Sequence, residues 1–531
     1  MFGTLFAFEL RSHFRRPVTW LYVAIVFFMA FFAVSTDSFV TGQVLGKVKK
    51  NSPYSLAQLY SILLAVGQII TSALVGTTVL RDYEAGVHEI LFSTRITRRA
   101  YLGAKYIAAL LAMLLVFAAL PIGALVGTVM PWADTTTLQS INAWHYVQPF
   151  LLIGVPGVFF ISSALFAVGS LTRSSFSVYV TGILLLVGYS IGDELIRQLD
   201  RDQLANLLDP FAIRSLDLVT RYWTPVQKNS LTLPFDGFIG QNRLLWSSIG
   251  AVLLAVTFRF VKLEKHAAVS SRKKQKAEEK QFAPSVTLRR AARSYEPTPA
   301  FAGWWSVAQF HARSLLRSTP FLAIATIGFI NVLMSAWYAD SNGQNRSWPM
   351  SWLMAESTIN SASLFMVVLL TFYAGELVWR ERQVKLDQVL DAAPVRSWSV
   401  LAGKFTAMVV LLLAFGTTSM LGGMAVQLMK GYAHIDLPVY ALYVYLTDFP
   451  GWLTMTAIAF FVQSLVSRKA VGYVIVILVW VGNIVTSNLG YDYRLLQIGT
   501  TPAMRWSDMN ATGPYLAAFP AVHGFNVCLA L

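Results

Sequence analysis

Residues 106–126 read YIAALLAMLLVFAALPIGALV, an unbroken stretch without one charged side chain. A water-soluble helix of that length shows a polar face every turn, and this one shows none on any face. About 20 apolar residues cross a bilayer, where each backbone polar group must bond within its own segment. The stretch therefore sets a span at about 102–126. Five more runs of the same kind fall at about 18–36, 54–80, 147–171, 176–195 and 243–261. A second group follows at about 319–338, 359–379, 402–428, 450–466 and 470–488. The expected fold class is all-α and polytopic: two parallel six-helix transmembrane repeats, the last helix incomplete because the sequence given stops at Leu531, shortly after His523.

Composition agrees with this reading. Hydrophobic residues make up 55% and charged residues 13%, with a mean hydropathy of +0.55, far from the balance of a soluble domain. The net charge of +15 does not point to nucleic acid, because the basic residues gather in short stretches between apolar runs. Such stretches mark the cytoplasmic side of a membrane protein. Arg11, Arg15 and Arg16 precede the first run; Arg81, Arg95, Arg98, Arg99 and Lys105 lie between the second and third; Arg173 marks the turn between the fourth and fifth. Lys47, Lys49 and Lys50 fall on the opposite side and run against the majority, which puts the N-terminus in the cytoplasm. Expected domains are a first transmembrane domain at 1–262, a basic cytoplasmic linker at 263–300, and a second transmembrane domain at 301–531, truncated in its last span. The linker reads as a solvated tether.

The two groups of spans repeat one another. Residues 81–105, RDYEAGVHEILFSTRITRRAYLGAK, align without gaps to 380–404, RERQVKLDQVLDAAPVRSWSVLAGK. Arg81 meets Arg380, Leu91 meets Leu390, Leu102 meets Leu401 and Lys105 meets Lys404. Ser170-Leu171 and Tyr179-Val180 recur as Ser464-Leu465 and Tyr473-Val474. Six spans with one starting side, used twice, give parallel halves with a path expected between them.

Each half opens on an amphipathic segment. Phe2, Phe6, Leu10 and Phe14 stand four apart with Arg11 and Arg15 on another face, the pattern of a helix lying in the inner interface. Trp304 to Arg317, with Arg313 and Arg317, repeats it, so both are expected to be elbow helices. The charged loops at 81–101 and 380–400 are the strongest docking candidates. Glu84, Glu89, Arg95, Arg98 and Arg99 offer charge pairs, with Leu91 and Phe92 as apolar knobs. A charge run is ordinarily a solvated face; its recurrence in both halves favours docking. The outer segment 196–242 carries Leu204, Leu207, Leu208, Phe211 and Leu216 at near-helical spacing and reads as a gate or as packing over the span ends. Glu376 and Asp193-Glu194 sit near span ends, where water reaches them.

No G-x-x-x-x-G-K-[ST] occurs, so the chain has no P-loop for ATP. His88-Glu89 starts an H-E-x-x-H pattern, but Phe92 stands where a second zinc ligand belongs. No catalytic, cofactor or metal set is read from the sequence, and no enzyme activity is expected.

The segment 81–105 resembles the cytoplasmic loop of type-2 ABC exporter permeases, with Glu84, Gly86, Glu89 and Leu91 filling an E-x-G-x-x-E-x-L pattern before a basic turn and Lys105. The second half departs from it at Gln383, Lys385 and Gln388 but keeps Gly403-Lys404, where the first half has Ala104-Lys105. N-S-P-Y at 51–54, P-W-A-D at 131–134, L-D-P-F at 208–211, V-T-R-Y-W-T at 219–224, N-R-L-L-W at 242–246, T-F-Y-A-G-E-L-V-W-R-E-R at 371–382 and S-D-M-N at 507–510 resemble a bacterial permease subfamily. Its members usually carry a C-terminal gluzincin-type zinc aminopeptidase, absent from these residues. The resemblance implies a multi-pass subunit of the bacterial inner membrane, exporting with the help of separate ABC ATPase subunits that bind ATP and Mg. The ATPase-coupling residues it implies are Glu84, Gly86, Glu89, Leu91, Arg95, Arg98, Arg99, Arg380, Glu381, Arg382, Asp387 and Leu390. Other readings are a secondary transporter, for which no span centre offers a convincing acid; an intramembrane enzyme, which lacks a catalytic pair; and the membrane half of a transporter–peptidase fusion.

Overall fold

The computed structural model describes residues 2–36, 48–189 apart from 176, 183 and 187, and 202–261 of the first part of the chain. Of the rest it describes 300–383 apart from 343 and 344, then 386, 388, 396–488 apart from 467 and 468, and 499–530 apart from 500–503, 505 and 508. The chain divides into two compact units, Met1–Ala292 and Arg293–Leu531. The linker expected at 263–300 lies, up to residue 299, outside the described residues.

The fold is all-α and polytopic, and eight helices among the described residues are long and apolar enough to cross a membrane. In the first unit α1 (Phe2–Phe14) leads into α2 (Pro17–Ser35) and α3 (Pro53–Thr71), which a π-helical turn extends to Gly76. Two short helices, α4 (Leu80–Glu84) and α5 (His88–Ser93), connect to α6 (Arg98–Thr128). The next rod is α7 (Ala143–Pro149), a π-turn Phe150–Gly154, and α8 (Val155–Thr172). α9 (Ser177–Leu186) follows, then the short α10 (Asp202–Leu207), α11 (Ile213–Thr220) and α12 (Pro225–Ser230), and the last span α13 (Phe238–Phe260).

The second unit repeats the order with α14 (Ala300–Leu316), α15 (Thr319–Tyr338), α16 (Ser351–Gln383) and α17 (Ser397–Met429). A small hairpin pairs Ser341–Asn342 with Asn345–Arg346. The next rod joins α18 (Leu437–Ala441), a π-turn Leu442–Asp448 and α19 (Phe449–Leu465), followed by α20 (Lys469–Asn488) and α21 (Phe519–Ala530).

Eight of the eleven expected runs coincide with helices long enough and apolar enough to cross a membrane, whereas those at 176–195, 450–466 and 470–488 are not among the eight, and the ends are placed less well. The tenth run, expected at about 450–466, is the second part of a rod that starts at Leu437, and the eighth begins at Ser351 rather than about 359. The polar first turns after Ser351 hide that start from a hydropathy reading, and Asp448 with Pro450 read as a boundary inside the other rod. α16 and α17 at 33 residues each are about 50 Å long, well beyond a hydrocarbon core of about 30 Å.

Close helix contact is made by small residues, as expected where lipid offers no hydrophobic gain. Gly123 and Gly127 of α6 meet α2 so closely that a Cβ on either would stand 2.3 Å from the carbonyl oxygen of Phe27 or 2.6 Å from that of Phe31. Among the described residues, two of the three π-turns, Phe150–Gly154 and Leu442–Asp448, have a common cause. Pro156 and Pro450, two residues past each turn, have no N–H to return to the preceding turn, and the ladder slips by one residue. The offset that aligns Tyr179 with Tyr473 also aligns these prolines. It brings Tyr146 to Tyr440 as well: Tyr146 bonds Thr128 at 2.9 Å, and Tyr440 donates to Gln427 at 2.8 Å. Thr128 and Gln427 are themselves aligned by the offset between Lys105 and Lys404.

Candidate functional site

The basic end of the first unit is built around a buried ion cluster. α1 has three faces rather than two. Phe8 is lipid- or solvent-facing, Arg11 and Arg15 are exposed, and the face turned inward carries Glu9 and His13. Glu9 meets two cations: Lys105 Nζ at 2.5 Å and Arg81 at 3.5 Å. Lys105, 1% exposed, also reaches Asp82 Oδ2 at 3.0 Å, and Tyr101 donates to the same oxygen at 2.7 Å. Two acids and two bases sum to zero, which is what permits burial. The cluster ties together the elbow α1, the exit of span 2 (Arg81, Asp82) and the entry of span 3 (Tyr101, Lys105). His13 stays neutral: burial first, then Arg81 and Lys105, push it down to about 3.

The second unit builds the same joint at aligned positions. Lys404 donates to Glu381 Oε2 at 2.7 Å, Arg380 reaches Ser314 of α14 at 3.0 Å, and His311 Nε2 lies 4.0 Å from Glu381. Burial and Lys404 hold His311 down to about 4, so it is a neutral neighbour rather than an ion-pair partner. Gly403 lets α14 approach: a Cβ there would lie 2.7 Å from Val307 Cγ1 and 3.0 Å from the Trp304 carbonyl. Trp304 Nε1 donates to Thr406 at 3.1 Å.

From the first joint hangs the 81–97 loop. Gly86 takes a left-handed φ of +68 between α4 and α5, a position that favours glycine. The phase of α5 corrects the expected knobs. Phe92 is 2% exposed, packed edge-on to Tyr101, with Tyr83 and His88 beside it, and Leu91 is half-buried. Ile90, 70% exposed, and Val87 point outward instead. Arg95, Arg99 and Glu89 are exposed. Arg98 is not available for docking, because its Nη1 donates to the carbonyls of Arg259 (3.1 Å) and Val261 (3.3 Å) and so caps α13. Arg173, at the left-handed turn after α8, lies over the Tyr83 ring at 4.8 Å. Only the backbone of Glu84 is described, and Asp387 and Leu390 lie outside the described residues, as do Asp193 and Glu194.

The twelve residues 371–382 are the corresponding hinge of the second unit. Tyr373 bonds Ser318 at 3.0 Å, Glu376 pairs with Lys469 at 2.5 Å, Trp379 Nε1 donates to Gln463 at 2.9 Å, and Arg382 stacks over Trp379 at 5.1 Å. A Cβ on Gly375 would stand 2.3 Å from Tyr473. One helix end thus holds α14–α15, α17, α19 and α20. Arg380, Glu381 and Arg382, expected to dock a partner, make contacts within the unit, and Arg380 and Arg382 remain exposed. Arg313 and Arg317 on the elbow are exposed.

At the opposite end two of the quoted motifs dock on each other. Asp209 of L-D-P-F is buried and accepts from the N–H groups of Phe211, Arg214 and Ser215 at 2.9, 2.7 and 3.2 Å. Burial raises its carboxyl, opposed by Arg243 and these N–H groups. Asn242 and Arg243 of N-R-L-L-W donate to the carbonyls of Asp209 (2.7 Å) and Pro210 (3.1 Å), and Trp246 donates to Leu207 (3.1 Å). Phe211 and Leu216 are buried, whereas Leu207 and Leu208 face outward. Residues 202–233 therefore pack over the ends of α3 and α13. Two of the three lysines that ran against the charge rule have partners at this end: Lys50 Nζ holds the Thr36 carbonyl at the C-terminus of α2 (2.8 Å), and Lys49 Nζ that of Thr136 (2.5 Å), while Lys47 lies outside the described residues.

Residues 315–484 match the family model of the ABC-2 family transporter proteins. The match supports an ABC-2 type permease, a membrane domain that implies a partnering ATPase subunit. No curated protein matches the chain. The matched stretch takes in all of 371–382, Lys404, Gln463 and Lys469. Among the described residues no three of His, Cys, Asp and Glu come together to hold a metal.

The sequence reading missed Glu9, Asp82 and His13 as site residues. A signal was present: Asp82 and Glu381 are aligned acids directly after the aligned arginines, and Glu9 and His13 stand four apart on the elbow.

Proposed function

We propose that the chain is the membrane-spanning permease subunit of an ATP-driven ABC exporter, with the basic ends of both units in the cytoplasm and a separate ATPase subunit seated on each 81–97-type loop. The observation that carries this reading is the exposed pair Ile90 and Val87 on a loop whose root is fixed by the buried Glu9–Lys105–Asp82 cluster. An apolar knob ringed by Arg95, Arg99 and Glu89 suits the centre of a small interface with a polar rim. A rigid root turns displacement of the knob into displacement of three helices. ATP-driven closure of the ATPase subunits supplies the work through their differential affinity for the two permease states. The quoted motifs support placing the chain in the subfamily that joins such a permease to a zinc aminopeptidase. The expected organisation is 1–262 and 301–531 as transmembrane domains joined by the 263–300 tether.

The test is co-purification with the P-loop ATPase encoded beside this chain. Ile90→Asp and Arg99→Glu are expected to lower recovery of the ATPase at least tenfold while the permease stays folded. Undiminished recovery in both variants removes the loop from the interface. Transport by the purified chain alone, driven by an ion gradient, overturns the ATP-driven reading altogether.

A further inference from the structure

The second unit carries an acid inside its 437–465 rod. Asp448 closes the π-turn Leu442–Asp448, about 16 Å from the start of the 437–465 rod at 1.5 Å per residue. The corresponding position of the first unit, in the same π-turn before the same proline, is Gly154. The acid is therefore not a requirement of the π-turn.

Asp448 lines a cavity of about 20 Å³, room for a single water-sized particle. Trp452 Nε1 donates to its Oδ2 at 2.5 Å. Thr358 of α16 and Ser419 of α17 line the same cavity; both are at least nine-tenths buried, and neither hydroxyl has a hydrogen-bond partner. Tyr445, bonded to Thr417 at 2.6 Å, adds a further oxygen. Among the described residues the rest of the wall is aliphatic, aromatic or thioether, with no Lys, Arg or His and no second acid.

Among the described residues an ionised carboxylate in that setting has one N–H donor and no countercharge in the cavity wall, an expensive state in an apolar surrounding. Two buried hydroxyls without partners are a second cost at the same spot. One small cation relieves both. The available donors are oxygens, which suit a hard ion, and the space excludes a hydrated divalent ion. We propose that Asp448, Thr358, Ser419 and Tyr445 form a binding site for one small monovalent cation, a proton or Na⁺, within the second unit. The site stands apart from the loops that receive the ATPase, and its failure leaves their role untouched.

The experiment treats the purified full chain with a hydrophobic carbodiimide, which modifies protonated carboxyls, and locates the adduct by peptide mass spectrometry. In parallel, the carboxyl C=O infrared band is compared between the parent and Asp448→Asn across pH, with and without Na⁺. The expected result is an adduct on Asp448 that grows as pH falls, with a matching band absent from Asp448→Asn. Suppression of both signals by Na⁺ identifies Na⁺ as occupant, and indifference to Na⁺ identifies the proton. Thr358→Val with Ser419→Ala is expected to shift the Na⁺ or pH midpoint at least tenfold. An Asp448 band that responds to neither pH nor Na⁺ overturns the proposal, whatever the labelling shows, because the acid is then permanently neutral and structural.

Discussion

Lys105 and Lys404 hold aligned positions but not equal burdens. Lys105 bridges Glu9 and Asp82 in a buried cluster, whereas Lys404 faces Glu381, whose side chain keeps 22% of its surface in contact with solvent. Removing one partner of a buried pair costs roughly 3–5 kcal/mol, and less where water can take its place. Lys105→Met is therefore expected to lower thermal stability in detergent far more than Lys404→Met, as read by the temperature at which monodisperse protein is lost. Equal losses contradict the burial difference.

The two elbow histidines give a pH signature with a definite sign. His13 is held down to about 3 and His311 to about 4, below the ordinary value near 6.5 that the unfolded chain shows. The unfolded state takes up the proton first, so the stability these groups contribute is complete above about 6.5 and is lost as pH falls toward the folded values. Each contributes about 2 kcal/mol of that loss by about pH 5. Stability measured between about pH 7 and about pH 5 is expected to fall, and His13→Gln to flatten the slope. An unchanged slope shows that His13 is charged in the folded protein.

At the scale of elements, the elbows show what periodicity reveals and what it does not. The spacing of Phe2, Phe6, Leu10 and Phe14 is visible in the sequence and makes α1 a helix. The face that fixes its position is the pair Glu9 and His13, and an isolated acid on a basic segment gives no hint of burial until Lys105 and Arg81 arrive from about 70 to 100 residues away, beyond the reach of any local pattern. Phe92 illustrates the same gap: apolarity marked it as a knob, yet the turn at Gly86 rotates α5 so that Phe92 faces Tyr101 and Ile90 faces out. The spans themselves were legible because hydrocarbon leaves backbone groups only one solution. The start of the 437–465 rod was not, because Asp448 and Pro450 read as a boundary when they are in fact a π-turn inside it. The α2–α6 contact offers a test at this scale. Gly127→Leu places a Cβ against the Phe31 carbonyl, and backbone cannot yield as a side chain can. Unfolding is expected to need 1–3 kcal/mol less, or about that, while the same change at Gly188, which has open space, is expected to be neutral. Equal effects at the two positions speak against helix contact there.

At the scale of the whole molecule, two units of one plan differ where function divides them. The first keeps its loop pattern of Glu84, Gly86 and Glu89, and the second keeps Gly403-Lys404 and adds Asp448. The lone, exposed Cys528 makes the orientation easy to check. In a Cys528→Ser background, single cysteines at Arg99 and at Leu386, both exposed, are expected to react with an impermeant maleimide from the same side of the membrane, and only in inverted vesicles. Labelling from opposite sides contradicts parallel halves.

Arg98 has a mechanical consequence. By holding the final carbonyls of α13 it pins the end of that helix to the base of the loop that presents Ile90, across 161 residues of sequence. A load applied at that loop reaches the end of α13 through two hydrogen bonds, so the last helix turn of the span and the root of the loop are expected to shift as one piece.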